Sequence, residues 1–283
     1  MGILNWKGLP VVSGMPRPGI KYFCTLRMEP GLSTRAGGAQ ERSLLEGVSR
    51  KPYSTFNLGD HVGDNPSAVH TNRETLASTL PSEPVWLQQV HGIDVYDADS
   101  QCLIPQSSQA SDERLVPAGT APVADASVTR TGGRVLCIMT ADCLPVLLHD
   151  DRGTIVGLAH AGWRGLTQGV LEVTLAALQE RAPRACWQAW IGPAIGQAAF
   201  EVGDEVLHAF IHQDPRVASC FTPGRAGRWQ ADLAGLAAYR LKKAGVSSVE
   251  CSGLCTHARP DLFYSYRRDG VTGRMATVAW LEG

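Results

Sequence analysis

The sequence predicts an α+β fold, a single domain over residues 1–283, and three observations predict it. Short β-branched and aromatic runs bounded by turn residues recur along the chain. Apolar residues at helical spacing, with capping residues at their ends, fill stretches between some of those runs. The two kinds of segment do not alternate strictly. That disfavours a chain of βαβ units and favours helices covering the outer faces of sheets.

The expected strands are 21–25, 84–90, 134–139, 145–149, 154–159, 185–191 and 274–281. Four helices are expected. Asn65 caps the first, with Pro66 at its first position, and it runs to about residue 80. The second covers 165–181, where Leu166, Val170, Leu171, Leu175 and Leu178 share a helical spacing. A short one covers 204–212. The last covers 232–244 and ends at Gly245 in the position after the cap. Residues 101–121 are polar with Pro, Ser and Gly and read as an exposed loop, and 37–52 as a second irregular stretch.

Composition narrows the function. Apolar residues make up 44% and charged residues 19%, which are globular values that exclude a disordered chain. The net charge of −1 supplies no global field toward nucleic acid or an anionic membrane. No apolar run approaches the roughly 18 residues of a membrane helix. The first residues lack a basic segment followed by an apolar core, and Trp6 stands where a myristoylation signal wants Ser or Thr. A cytoplasmic location is therefore expected. The eight cysteines are irregularly spaced without a CxxC pair, so reduced thiols, mostly small buried groups, are expected rather than disulfides.

Three short motifs carry candidate chemistry. Gln88-Gln89-Val90-His91-Gly92 ends an apolar run, and Gly92 would let the backbone turn just after His91. Thr140-Ala141-Asp142-Cys143-Leu144-Pro145 lies between two apolar strands. His160-Ala161-Gly162-Trp163-Arg164-Gly165 follows a strand and opens a helix, whose free N–H groups beside Arg164 suit an anion such as phosphate. Two imidazoles and a thiolate suit a catalytic zinc ion with one open position. The same residues suit a Cys143 nucleophile activated by His91 or His160. The residues alone do not choose between these readings. Taken singly, each His or Cys is more often structural. His208 and His212, four apart, read as a solvated helix face.

Together, HAGWRG, the T-x-D-C-x-P turn, QVHG, IGPAI followed by FEVG, and YSYRRDGVTGR resemble the YfiH-type family. It is also known as the multicopper polyphenol oxidoreductase or laccase-like family and as a purine nucleoside phosphorylase family. The likeness runs in order from about Thr25 to Leu281. It implies a layered α/β/β/α domain of mixed sheets and outer helices, and zinc held by His91, Cys143 and His160, with copper as the alternative ion. It implies phosphorolysis of adenosine, inosine and 5′-methylthioadenosine to the base and ribose 1-phosphate, with adenosine deamination beside it. Asp142 and Arg164 would join the ligands as catalytic residues. Arg35 in STRAGG, Asn57 in FNLG, Cys255 in GLCT, and Arg267 and Arg268 in YSYRRD match motif positions and would bind substrate. The expected partners are small molecules, a purine nucleoside and phosphate, and a monomer is the family expectation.

In that reading arginines and a helix terminus would hold phosphate by position and charge. Zinc would activate water for deamination, with Asp142 moving the proton. Two alternatives stand beside it. One is a Cys–His hydrolase or amidase editing a peptidoglycan precursor. The other is copper-dependent polyphenol oxidation, which the chain supports poorly because none of its eight histidines forms an H-x-H pair. A non-enzymatic metal- or nucleotide-binding module is a third class.

Overall fold

Two apolar strands joined by a tight turn, Leu144–Asp150 and Val156–Ala161, form the hairpin on which the molecule is built. Every residue of both is buried, which is how strands covered on both faces read in sequence. Asp150 fixes the turn, its Oδ1 accepting from the Thr154 N–H at 2.7 Å and its Oδ2 from the Thr154 hydroxyl at 2.7 Å. The computed structural model describes residues 2–28, 47–104, 114–115 and 119–283.

In chain order the strands are β1 (Ile3–Trp6), β2 (Leu9–Val12), β3 (Ile20–Thr25), β4 (Val95–Asp97), β5 (Cys102–Ile104), β6 (Arg114–Leu115), β7 (Ala126–Thr129) and β8 (Leu136–Thr140). The hairpin strands are β9 and β10. They are followed by β11 (Trp187–Ile191), β12 (Glu201–Gly203), β13 (Phe221–Pro223), β14 (Arg228–Ala231), β15 (Ser248–Cys251) and β16 (Met275–Leu281). The helices are α1 (Pro66–Ala77), α2 (Trp163–Gln168), α3 (Val170–Arg181), α4 (Asp204–Ile211), α5 (Leu233–Lys243) and α6 (Tyr266–Asp269).

One sheet has the order β1-β2-β3-β16-β8 and a second, mixed one the order β15-β11-β9-β10-β7-β4-β5-β6. A small third sheet is β12-β14-β13. Leu136 and Ile138 of the first large sheet meet Leu147, Leu158 and Trp190 of the second in the layer between them. The far face of the second sheet, through Val146 and Leu148, packs on Leu171, Leu175 and Leu178 of α3 and Leu236 and Leu241 of α5. The far face of the first sheet, through Phe23, Cys137 and Val278, packs on Leu76 of α1 with Phe56 and Leu58. The result is an α+β domain layered α/β/β/α. Non-polar burial of this kind is the main favourable term in its folding.

Six of the seven expected strands are present within a residue or two. The exception is 84–90, which is extended but makes only isolated bridges, Val85 to Leu136 and Gln88 to Val123. The Gln89 side chain explains why. Its amide donates 2.9 Å to the Met139 carbonyl and its oxygen accepts 2.8 Å from the Met139 N–H, standing in for a strand partner at the edge of β8. The helix expected over 165–181 begins two residues earlier and is divided. Gly169 has φ +100 and separates α2 from α3. Residues 101–121 are not wholly loop, since they supply β5 and β6, an edge hairpin of the second sheet. Residues 105–113 and 116–118 lie outside the described residues, as does 37–46 of the second irregular stretch. All eight cysteines are free thiols, but only Cys24, Cys102 and Cys137 are buried, fewer than expected.

Candidate metal centre

The strand register brings the three motifs to one end of the hairpin. Pro145 of β9 lies opposite His160 of β10, so Cys143, just before β9, sits beside His160. Asp142 enters this turn with φ +105, a backbone state that a non-glycine residue holds only when its surroundings fix it. They do: Oδ1 accepts from the Thr256 hydroxyl at 2.6 Å and Oδ2 from the Arg267 N–H at 2.7 Å. The Asp142 carbonyl also accepts from the Ile195 N–H.

His91 reaches the same place from the other side. The turn expected at Gly92 falls on His91 itself, whose φ is +60. A buried carboxylate holds this turn. Asp125 accepts from the N–H groups of Val90 at 3.1 Å, His91 at 2.9 Å and Gly92 at 2.7 Å. Its Oδ1 also meets Nδ1 of His160 at 2.8 Å. One acidic side chain thus positions two of the three candidate ligands. Sequence reasoning passed over it. The available signal was a lone Asp inside the small apolar run Ala124-Asp125-Ala126, which needs a partner if buried.

The ligand atoms of His91, Cys143 and His160 all lie within 4.8 Å of one another. The Cys143 sulfur is 3.8 Å from Nε2 of His91. The His91 and His160 rings meet edge to face, with centroids 4.7 Å apart. His160 is buried, Cys143 half-buried and His91 exposed, so the cluster opens to solvent on one side. Space there is tight. A Cβ on Gly162 would fall 2.7 Å from Cδ2 of His91 and 3.0 Å from the Cys143 sulfur, so the glycine of HAGWRG makes room for both.

The donors fit a metal ion. A tetrahedral ion with bonds of about 2.0 Å to nitrogen and 2.3 Å to sulfur separates its ligand atoms by roughly 3.5 Å; the Cys143 sulfur and His91 Nε2 are 3.8 Å apart and the whole set lies within 4.8 Å. The Asp125 bond to Nδ1 of His160 leaves Nε2 as the coordinating nitrogen, the usual outer partner of a metal-bound imidazole. Charge points the same way. Burial opposes the Cys143 thiolate, but His160, and the hydrogen bonds from both histidines, outweigh it and hold the thiol well below its ordinary value. Burial likewise opposes a proton on His160, yet the Cys143 thiolate and Asp125 raise its affinity. The cluster therefore stabilises a thiolate and a positive centre beside it. A cation can replace those protons.

The other expected residues have these places. Arg164 is exposed, with its guanidinium carbon 4.6 Å from the centre of the Trp163 ring. Asn57 is fully buried and ties loops together. It donates to the Gly59 carbonyl and Asp64, and accepts from the Gly59 and Arg274 N–H groups. Cys255 is half-buried and its sulfur accepts from the Gly196 N–H at 3.1 Å. Arg267 donates to the Glu201 carbonyl at 2.8 Å. Arg268 donates to the carbonyls of Thr256, His257 and Phe263 and pairs with Asp269. Arg35 lies outside the described residues. His208 and His212 stack on each other at an exposed helix end.

A layered α/β/β/α domain with one His–Cys–His cluster at a hairpin end defines a class of candidate metalloprotein. The chain belongs to the family described as multi-copper polyphenol oxidoreductase laccase, whose model matches residues 38–282. A purine nucleoside phosphorylase of Xylella fastidiosa is 44% identical over 273 residues, 94% of each chain. The purine nucleoside phosphorylase YfiH of Escherichia coli is 45% identical over 239 residues, 84% of this chain and 90% of its own. The crystal structure of a Neisseria meningitidis protein superposes with a TM-score of 0.80 at 40% identity, covering 98% of this chain and all of that one. YlmD of Geobacillus stearothermophilus superposes with a TM-score of 0.79 at 27% identity over 99% and 98% of the two chains. No helix of the described residues is long and apolar enough to cross a membrane.

Proposed function

We propose that this protein is a zinc-dependent purine nucleoside phosphorylase. It would take adenosine, inosine or 5′-methylthioadenosine with phosphate and release the free base and a ribose 1-phosphate. Adenosine deamination at the same site would be a second activity. The observation that carries the reading is the convergence of His91, Cys143 and His160 with their ligand atoms within 4.8 Å. Relatives named as purine nucleoside phosphorylases support a purine nucleoside as the substrate class. Two nitrogens and a thiolate accept zinc, and copper with higher raw affinity. No second cluster of three or more such ligands is found among the described residues, which disfavours a multicopper reaction.

In the phosphorolysis, an oxygen of HPO4²⁻ forms the bond to the anomeric carbon as the carbon–N9 bond breaks. The bonding pair leaves with the purine, and the proton of the phosphate ends on the base. A divalent ion held by His91, Cys143 and His160 would supply positive charge to the reacting groups. Asp125 orients His160 and the His91 turn. Asp142, with an oxygen on Thr256 and another on the Arg267 N–H, serves in positioning rather than proton transfer, since it fixes the Cys143 turn against α6. Arg267 and Cys255 border that turn and are proposed to meet the substrate. Asn57 and Arg268 shape its loops, and Arg164 offers a solvent-exposed charge to incoming phosphate. A monomer acting on small molecules in the cytoplasm completes the reading.

One observation favours a second reading. The depressed Cys143 thiol beside His160 is also the pair a Cys nucleophile needs, as in a hydrolase or amidase acting on a cell-wall precursor. Metal dependence separates the two. Protein of known metal content is incubated with adenosine, with and without phosphate, and its products are identified by mass spectrometry. Phosphate-dependent adenine and ribose 1-phosphate, lost on chelation, are expected. Inosine alone, independent of phosphate, would leave only the deaminase. No product from fully metallated protein would sink the nucleoside reading and favour the Cys nucleophile.

A further inference from the structure

Arg274 stands apart from the other arginines near the site. The pairing of β16 with β8 sets Met275 opposite Thr140, so Arg274 lies next to the turn that bears Asp142 and Cys143. Its main chain is fixed on the other side, where its N–H donates 2.8 Å to Asn57 and its carbonyl accepts 3.2 Å from the Leu58 N–H. The side chain runs across Gly59. A Cβ there would come within 2.7 Å of Cγ of Arg274. FNLG is thus the bed on which this arginine lies.

Its guanidinium is only partly satisfied. Nη1 donates to the carbonyls of Thr272 at 3.1 Å and Gly273 at 3.0 Å. Among the described residues no carboxylate lies within ion-pair distance of it, whereas Arg17, Arg181 and Arg240 each hold one at 2.6 to 2.8 Å. Burial depresses its affinity for its proton, and the groups that oppose this are Cys143, Asp142 and Tyr266. Asp142 already holds Thr256 and the Arg267 N–H. Of the arginines beside it, Arg268 is spent on three carbonyls and Asp269. Arg267 sits on a carbonyl with its charge 5.3 Å from the centre of Phe200.

We propose that Arg274 binds the phosphate co-substrate, presenting Nε and Nη2 as a two-pronged donor beside the His91–Cys143–His160 cluster. A guanidinium offers two parallel N–H groups that match two phosphate oxygens, and an anion there supplies the countercharge that the fold withholds. The identification of the anion as phosphate rests on the phosphorylase reading. Exposed Tyr266 and Cys143 of the cluster both act on this guanidinium through charge, which ties the anion site to the cluster.

The test uses the metal-loaded full chain. Binding of inorganic phosphate is measured by titration calorimetry, and phosphate and nucleoside KM by steady-state assay, for the wild type, Arg274→Gln and Arg274→Lys. Arg274→Gln is expected to raise both the phosphate Kd and the phosphate KM at least about tenfold, with bound metal and nucleoside KM unchanged. Arg274→Lys should recover part of the loss, since it keeps the charge but not the fork. An unchanged phosphate Kd in a folded, metal-loaded Arg274→Gln protein overturns the proposal, as does a wild type that binds no phosphate. If nucleosides are not cleaved but phosphate binding still falls in Arg274→Gln, the anion site stands and the phosphorylase reading fails alone.

Discussion

His149 and His160 are buried imidazoles at opposite ends of one hairpin, and their surroundings set them to opposite duties. They are 2% and 3% exposed. Each is fixed through Nδ1, His149 on the main-chain carbonyl of Asp150 at 2.7 Å and His160 on the carboxylate of Asp125 at 2.8 Å. Burial disfavours the charged ring at both. At His149 burial prevails and the ring is held neutral. At His160 burial pushes the same way, but Cys143 and Asp125 reverse it. The cysteines repeat the contrast. Burial pushes the Cys24 thiol up to about 12, whereas the two histidines pull Cys143 down. Burial sets the default, and the charge of the nearest partners decides whether a polar side chain becomes core or chemistry.

The contrast breaks most sharply by exchanging the ends. Cys143→Ala or His160→Ala removes one of three proposed ligands. Each should reduce metal affinity by more than the roughly 10–100-fold that loss of an outer partner costs, and turnover with it. His149→Gln, equally buried, should leave bound metal and turnover unchanged. Metal content after equilibrium dialysis reads all three. Full zinc retained by Cys143→Ala would remove the thiolate from the ligand set. Next in size is Asp125→Asn. The amide nearly preserves shape, but it removes the charge that orients His160 and an acceptor for the His91 turn. A loss of about 10–100-fold in metal affinity is expected, with the protein still folded. Unaltered affinity would reduce Asp125 to a structural turn-holder.

The candidate ligands were legible in sequence and the residue that organises them was not, for a physical reason. His91 and Cys143 each stand in a short turn after an apolar run, and His160 at the end of one, a local pattern. The role of Asp125 depends on β7 pairing with β10, which sets Ala126 opposite Ala159 and so Asp125 beside His160. Arg274 depends in the same way on the register of β16 against β8. The helices were legible through their caps, as where Asn65 accepts from the Ser67 and Ala68 N–H groups. The division at Gly169 was not, because the apolar spacing runs through it. The short strands β4, β12, β13 and β14 have too few residues to show a period, and only their partners define them. At 84–90 the apolar run suggested a strand, and a side-chain amide took the place of the ladder.

The smallest expected effect concerns stability and isolates His149. Its ring binds a proton more weakly in the fold than in the unfolded chain. Unfolding therefore takes up a proton once the pH drops below about 6.5, the ordinary imidazole value, and stability falls with pH from there until the folded ring also protonates. Each unit of depression is worth about 1.4 kcal/mol. The depressed carboxylates Asp97 and Asp125 lose their contributions only lower, in the carboxylate range. Denaturant midpoints compared at pH 7.5 and pH 5.5 should thus fall further in the wild type than in His149→Gln, by no more than the roughly 1.4 kcal/mol that one pH unit below the ordinary imidazole value allows. The His91–Cys143–His160 cluster is unchanged between the two proteins and cancels in the difference. Equal falls would mean that His149 takes up its proton inside the fold, and that a main-chain carbonyl can hold an imidazolium there as the carboxylate does at His160.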